Sequence, residues 1–307
     1  MKLYDIQISK QTFTFFVFLC ILKMVRFMES YIIKTYQDGS QVTVRDVQKV
    51  ILEIAKVVDQ ICEKHHIPYI VNGGTALGVI RHQGFIPWDD DFDMAILRKD
   101  YKRFIKALQE DLPEDYTFHC FETDQRYNVT LPAMKIRKKN TYLKERNLLL
   151  PNKCDDCDGV FIDVFLYNYV SESKFIDYPF RFVNKYLLMP IIVLLENLHF
   201  NPKLLKKAFI KNGIIYGNLC KKMNSPYIGN ELTWVYRKMS RATKYRMDDI
   251  FPTKKMKFED TTLSVAHHEK AQIVADIGPD YMTLPPENKR FSKHILDINL
   301  DGDQPKK

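Results

Sequence analysis

The chain has 307 residues, 46 Lys and Arg against 38 Asp and Glu, a formal charge of +8, 46% hydrophobic residues and a mean hydropathy of −0.28. These values exclude a disordered chain, a collagen-like repeat and a multi-span membrane protein. The length is enough for one large domain, or a core with an appendage, to fold without disulfides or a structural metal.

Cys20, Cys62, Cys120, Cys154, Cys157 and Cys220 are too sparse and irregular for a disulfide scaffold. They point to a reducing compartment and a cytoplasmic location. Residues 12–22 (TFTFFVFLCIL) form an apolar run behind Lys2 and Lys10, shorter than the roughly 20 residues a bilayer span needs. No small-residue cleavage site follows it, the first alanine being Ala55, which argues against an export signal. Residues 1–28 read as an interfacial or packing segment, or as an over-long start with Met24 or Met28 as the true first residue.

Over residues 44–61, Val47, Val50, Ile51, Ile54, Val57, Val58 and Ile61 recur at helical spacing, and Thr43 with Asp46 resembles a capping box. Pro68 closes this helix, and Tyr69, Ile70 and Val71 form a short β-prone run that stops at Asn72, Gly73 and Gly74. Residues 75–81 (TALGVIR) suit a helix, and Tyr101, Phe104, Ile105 and Leu108 mark one face of another. Residues 116–121, 129–137 and 159–166 read as strands, the last a nearly continuous apolar run broken only by Asp163. An acid inside a buried-strand pattern is a conflict between local rules, and such conflicts tend to mark sites. From Asn168 to about Met223 the pattern is helical, then irregular to about Asp260. A further helix is expected around residues 267–278 (HHEKAQIVADIG), followed by the turn-forming YMTLPPENKR.

Between residues 171 and 260 there are 17 Lys and Arg against 8 Asp and Glu, so the basic excess is regional. The same stretch carries the apolar run 187–195 (LLMPIIVLL) and many aromatics, among them Phe175, Phe182, Tyr186, Trp234 and Tyr236. Such interleaving suits an anionic polymer or membrane surface, or simply a helical subdomain with a solvated basic face.

The chemistry concentrates in residues 71–99. A Gly-Gly-Thr turn between strand and helix presents backbone N–H groups and a hydroxyl at a helix N-terminus, a natural phosphate cradle. Downstream, Asp89, Asp90, Asp91 and Asp93 fall within five residues. If residues 91–93 are extended, Asp91 and Asp93 project from one face. Two ionised carboxylates about 4 Å apart repel by roughly 4 kcal/mol at an effective dielectric of 20, so a cation is expected between them. Oxygen-only ligands select a hard ion, Mg²⁺ or Mn²⁺. Asp163 is the candidate third carboxylate, able to take a second metal or a proton. The competing readings are a solvated acidic loop and a paired core acid.

The string GGTALGVIRHQGFIPWDDDFDMAILRKDY, with FIDVF at residues 161–165 and YMTLPPENKR near the C-terminus, resembles the LicD family of phosphotransferases, which is similar to the catalytic regions of fukutin and fukutin-related protein and belongs to the nucleotidyltransferase-fold superfamily. The resemblance covers residues 44–294. It implies an α+β fold, a nucleotidyltransferase-like mixed β-sheet flanked by helices with an added helical basic region. The implied layout is a catalytic core at 29–170, a basic, aromatic acceptor or membrane-side region at 171–260, and a segment at 261–307 that completes the site.

It further implies a phosphate loop at Gly73, Gly74 and Thr75, metal ligands at Asp91 and Asp93 with Asp89 beside them, and Asp163 as the third acid. The cations expected nearest a diphosphate are Arg81, Lys135, Arg137 and Arg290, with surface ion pairing as the alternative for each. His82 and Trp88 are expected to support the acidic loop by packing. The implied reaction moves a phosphorylated small alcohol, phosphocholine from CDP-choline in the first instance, to a cell-surface saccharide or its lipid-linked precursor. It would take place in the cytoplasm or at the inner, anionic membrane face, with no nucleic-acid partner. Nucleotidyl transfer with loss of pyrophosphate, and a catalytically silent glycan- or membrane-binding protein, are the rivals.

Two features depart from the pattern. Relatives carry an FPLD-like string after the third acid where this chain reads FLYNYV, and Cys154 and Cys157 form a CxxC that would bind zinc only if joined by further ligands such as His119 and Cys120.

Overall fold

A computed structural model describes residues 31–130, 132–146, 157–232 and 243–302. The N-terminal apolar run with its two candidate starts, Cys20, Cys154, Trp234 and Tyr236 lie outside the described residues.

The chain opens with an antiparallel pair, β1 (Ile32–Thr35) and β2 (Gln41–Thr43), that leads into α1 (Val44–Lys64). Thr43 and Asp46 form a true capping box, and Val47, Ile51, Ile54, Val58 and Ile61 are buried along one face. β3 (Tyr69–Val71) follows, then α2 (Gly73–His82), β4 (Asp93–Leu97), α3 (Tyr101–Asp111), β5 (Tyr116–Cys120), β6 (Met134–Lys138), β7 (Tyr142–Glu145) and β8 (Phe161–Tyr169). The expected strand over 129–137 begins only at Met134. Pro132 cannot donate to a ladder, and the Asn128 side chain turns the chain by accepting from Thr130 N at 3.0 Å and Thr130 Oγ1 at 2.7 Å.

The long β8 organises the mixed seven-stranded sheet. It pairs parallel with β4, antiparallel with β6 and, further along, antiparallel with β9 (Tyr227–Asn230). β3 lies antiparallel to β4, β5 antiparallel to β6, and β10 (Tyr245–Arg246) antiparallel to β9. The main core fills the space between this sheet and α1, α2 and α3, with Ile54, Val71, Met94, Phe104, Ile136 and Ile162 all fully buried.

After β8 comes an almost unbroken helical stretch: α4 (Lys174–Phe182), a π-helical turn (Val183–Leu188) and α5 (Met189–Asn197), then α6 (Lys203–Lys222). Pro190 lies in the first turn of α5, where its missing N–H leaves a carbonyl of the preceding turn unpaired; π-helical widening is a common response. The segment to Asp260, expected to be irregular, instead contains β9, β10, a single turn α7 (Met247–Ile250) and β11 (Lys254–Phe258), which hairpins with β12 (Thr261–Val265). These strands are too short for period-two patterning to announce them. α8 (Glu269–Asp276) and β13 (Ile295–Asn299) close the chain, and β13 pairs with β7.

Among the contacts that join the helical region to the core, one is ionic and fully buried. Lys206 of α6 is fully buried, pairs with Glu196 of α5, and donates to the carbonyls of Gln125, Arg126 and Tyr127 at 3.4, 3.2 and 3.1 Å. Residues 125–127 belong to the connection between β5 and β6.

Candidate functional site

β3 ends against the glycine turn, and α2 begins at Gly73 itself rather than at Thr75. Gly73 takes a φ of +53°, which L side chains rarely adopt. A Cβ at Gly73 would stand 3.1 Å from Asp93 Oδ2, and one at Gly74 only 2.7 Å from Asp89 Oδ2. The two acids press directly on the turn: Gly73 is needed for its backbone conformation, and a Cβ at Gly74 would have to push the Asp89 carboxylate aside. Thr75 Oγ1 accepts from Asp93 N at 2.9 Å; its hydroxyl secures the start of β4 rather than presenting itself to solvent.

Asp93 and Asp163 are register partners across the parallel β4–β8 pair, and Lys135 of β6 is the partner of Asp163 on its other side. Lys135 is buried, pairs with Asp163 at 2.7 Å and Glu145 at 3.0 Å, and packs its ammonium 3.4 Å from the Phe161 ring centroid. It serves as the internal counter-ion of the third acid. Arg137, two residues along the same strand, does not reach the open side. It is 1% exposed, donates from Nη1 to the Gly159 carbonyl at 2.8 Å and lies against the Phe161 ring. No described residue accepts from its Nε or Nη2.

Asp89, Asp91, Asp93 and Asp163 are each only partly exposed. Burial raises Asp93 well above the ordinary carboxylate range, and the charges of Asp91, Asp163 and Asp89 raise it further. Asp89 is pushed up to about 8, by burial first and then by Asp91 and Asp90. Asp163 rises to about 6 through burial, opposed by Lys135. Asp91 is also raised by burial, with His294 pulling the other way. Four acids that resist ionising together are short of positive charge.

The remaining acid of the run has a different task. Asp90 turns inward and accepts from Ser292 Oγ, from His294 N at 3.0 Å and Ile295 N at 3.2 Å, and pairs with His294 Nδ1 at 2.9 Å. Burial opposes its ionisation, but these hydrogen bonds outweigh burial and hold its carboxyl below the usual range. His294 also lies 3.3 Å from Asp91 Oδ2. Its hydrogen bond to Asp90 lifts it to about 9, so it is a cation at neutral pH. The segment leading into β13 is thereby fastened to the acidic loop.

On the other flank, Arg81 Nη1 donates to the Tyr281 carbonyl at 3.0 Å and Nε to His82 at 3.0 Å. The Arg290 guanidinium stands 5.5 Å from the centroid of buried Trp88, and His82 meets that ring edge-on. Arg81 feels both the attraction of Asp89 and the repulsion of Arg290. Of the four cations expected near a diphosphate, Arg81 therefore lies beside Asp89, Arg290 stands over Trp88 and donates to the Pro285 carbonyl at 2.7 Å, Lys135 is an internal counter-ion, and Arg137 lies against Phe161.

Two supports carried no sequence signal. Gln48 of α1 is buried and donates to the carbonyls of Ile86 at 3.0 Å and Asp89 at 2.8 Å, and Asn72 accepts from Tyr167 OH at 2.7 Å. Cys157 is disulfide-bonded, so its sulfur is not available as a thiolate ligand, which speaks against zinc at the CxxC. Among the described residues no three His, Cys, Asp or Glu side chains form a ready-made metal cage. Mg²⁺ is commonly held by one or two carboxylates together with substrate phosphates, and the oxygen-only, charge-crowded pair Asp91 and Asp93 fits that mode.

Residues 66–144 match the family model described as LicD/FKTN/FKRP, nucleotidyltransferase domain. That span holds the glycine turn, the acidic run and Lys135; Asp163 and Arg290 lie beyond it and are brought in by the sheet and by the C-terminal segment. The lipopolysaccharide cholinephosphotransferase LicD of Haemophilus influenzae is 34% identical over 142 residues, 45% of this chain and 49% of that protein. An uncharacterized protein of Rickettsia prowazekii is 29% identical over 106 residues, 33% of this chain and 38% of that protein. The chain thus spans about half or less of the length of these curated relatives. With this match laid over the glycine turn and the acids it supports, the chain carries, in residues 66–144, a nucleotidyltransferase domain of the LicD family.

Proposed function

We propose that the protein is a metal-dependent transferase that moves a phosphorylated small alcohol, phosphocholine in the first instance, from CDP-choline to a hydroxyl of a cell-surface glycan or its lipid-linked precursor. The observation that carries this reading is that Asp89 and Asp93 press on the glycine turn, with Asp163 the register partner of Asp93, Asp91 close enough to raise Asp93, and Arg81 beside Asp89. The similarity to the Haemophilus cholinephosphotransferase supports it.

Asp91 and Asp93, with Asp89 beside them, would hold Mg²⁺ or Mn²⁺. When bound, such an ion neutralises diphosphate charge and polarises the phosphoryl group. The backbone N–H groups at the start of α2 would receive phosphate oxygens, and Arg81 and Arg290 would balance the charge of departing CMP. The acceptor oxygen bonds to the phosphorus that bears choline as the bond from that phosphorus to the CMP oxygen breaks. The hydroxyl proton passes to the Asp163 carboxylate, whose position at about 6 suits a base near neutral pH, while Lys135 keeps that carboxylate in place. We place the enzyme in the cytoplasm or at the inner membrane face; Cys62, Cys120 and Cys220 are free thiols, while the disulfide at Cys157 runs against a uniformly reducing compartment.

Incubating the pure protein with CDP-choline, Mg²⁺ and a saccharide acceptor should release CMP and label the glycan. Pyrophosphate released from CTP instead would establish nucleotidyl transfer. Absence of divalent-ion binding by calorimetry together with absence of any turnover would establish a silent binding protein. A panel of CDP-alcohols would then fix the alcohol.

A further inference from the structure

The helical stretch Lys174–Asn197 is built inside out. Its buried residues are Asp177, Arg181, Asn184, Ile192 and Glu196, of which only Ile192 is apolar. The polar ones are fully engaged inward. Asp177 pairs with Arg181 at 2.8 Å and accepts from Tyr216 OH; Asn184 donates to the carbonyls of Phe209 and Leu232, each at 3.1 Å; Glu196 pairs with Lys206. The outward face carries Phe182, Tyr186, Leu187, Ile191 and Leu194, with Phe175 94% exposed at its start. Apart from the neighbours Tyr186 and Leu187, these recur at intervals of three, four and seven residues, so they cover one broad side of the helix. Leu198, Phe200 and Leu204, the last 80% exposed, continue the patch into α6. A contiguous apolar face of this kind is an interaction surface.

Its charges select the partner. Between residues 173 and 222 the only acids are Asp177 and Glu196, and both are sequestered in the buried pairs just described. The exposed charged groups of this stretch are all lysines: Lys174 at one end, Lys203, Lys207 and Lys211 as a stripe with helical spacing along α6, and Lys221 and Lys222 at its end. Apolar side chains bordered by lysine alone match the boundary between acyl chains and anionic headgroups. A second copy of this chain would bring lysine against lysine. By length and composition the stretch could cross a bilayer, but that would strip Asp177, Arg181, Asn184 and Glu196 of their partners and expose them to hydrocarbon.

We infer that the outward face of residues 174–211 lies flat on an anionic lipid bilayer, with Phe175, Leu194 and Leu204 inserted and the lysines on the headgroups. This deepens the membrane-face placement above and is independent of the transfer chemistry, because it is read without any donor. The test is co-sedimentation of the full chain with phosphatidylcholine vesicles and with vesicles containing about 30% phosphatidylglycerol. Binding is expected only to the anionic vesicles and should weaken with added salt. The triple variant Lys203→Glu, Lys207→Glu, Lys211→Glu should bind on the order of 100-fold more weakly, and Phe175→Ser with Leu204→Ser roughly tenfold more weakly. All five positions are exposed, so the fold should survive, as circular dichroism would verify. Failure to bind anionic vesicles, binding that neither variant weakens, or a stable dimer by light scattering that both variants dissociate would each overturn the inference. Donor turnover persisting in any of these cases would leave the transferase reading intact.

Discussion

Asp93 and Asp163 face each other across two parallel strands that are 70 residues apart in the chain, with Lys135 closing the far side of Asp163. This makes the acids strained partners in the absence of a cation, and the strain is measurable. Replacing Asp93 by Asn removes one charge from a site whose burial and neighbours already oppose it, while keeping shape. Asp93→Asn is expected to abolish CMP release, by on the order of a thousandfold or more, yet to raise the unfolding free energy of the metal-free protein by about 1–2 kcal/mol at pH 8. Chemical denaturation beside a turnover assay checks both; a destabilised variant would show that Asp93 is a structural acid.

Stability should also depend on pH in a defined direction. Asp163 and Asp89 have folded positions of about 6 and about 8, both above the ordinary 3.8. Between these limits the folded chain holds more protons than the unfolded one, so stability falls as pH rises from about 4 to about 8. Mg²⁺ held by these acids would replace those protons. Its addition is expected to raise the melting temperature little at pH 5 and by several degrees at pH 8. A Mg²⁺ effect independent of pH would place the ion elsewhere.

The glycine turn makes a steric prediction. In Gly74→Ala the new Cβ would sit 2.7 Å from Asp89 Oδ2, forcing the carboxylate aside at modest cost because its side chain can rotate. Metal affinity by calorimetry is expected to drop about tenfold or more, with a stability change within about 1 kcal/mol. Gly73→Ala adds the strain of a +53° φ, worth about 1 kcal/mol more.

His294 supplies a counter-example in sign. Held at about 9 against an ordinary 6.5, it contributes stability that is complete below pH 6.5 and disappears as pH rises through about 9. Its side chain is 48% exposed, so the contribution is discounted to about 1 kcal/mol. His294→Gln should be less stable than the parent by about that amount at pH 6 and equal to it near pH 10 in urea titrations. A deficit that persists at high pH would assign the loss to packing instead.

The parts of this site that the sequence makes legible are those with local signatures. Thr43 and Asp46 start α1, and Asp163 stands alone in an apolar strand, though that it lies beside β4 came from the resemblance and not from the residue pattern. What escaped was non-local. His294 fastens Asp90 across 204 positions of chain, and nothing in either neighbourhood anticipates the other. Gln48 looks like any polar residue of an amphipathic helix until the carbonyls of Ile86 and Asp89 arrive beneath it. Lys135 and Arg137 are expected near a diphosphate because the implied chemistry calls for cations, but which side of a sheet is covered is decided by what packs there, here Phe161. The basic, aromatic composition of 171–260 was visible; that its helix turns polar side chains inward was not, since orientation follows from partners such as Tyr216 and Lys206.

The buried ammonium of Lys206 has a last consequence. It grips Glu196 on one side and the 125–127 carbonyls on the other, and the chain from those carbonyls runs straight into the strand bearing Lys135. Helices and sheet are thus fastened to each other at a buried point. A molecule resting on its lysine-edged face would hold its carboxylates at one fixed height, so the reach of a tethered sugar, as much as its identity, would decide which hydroxyl is modified.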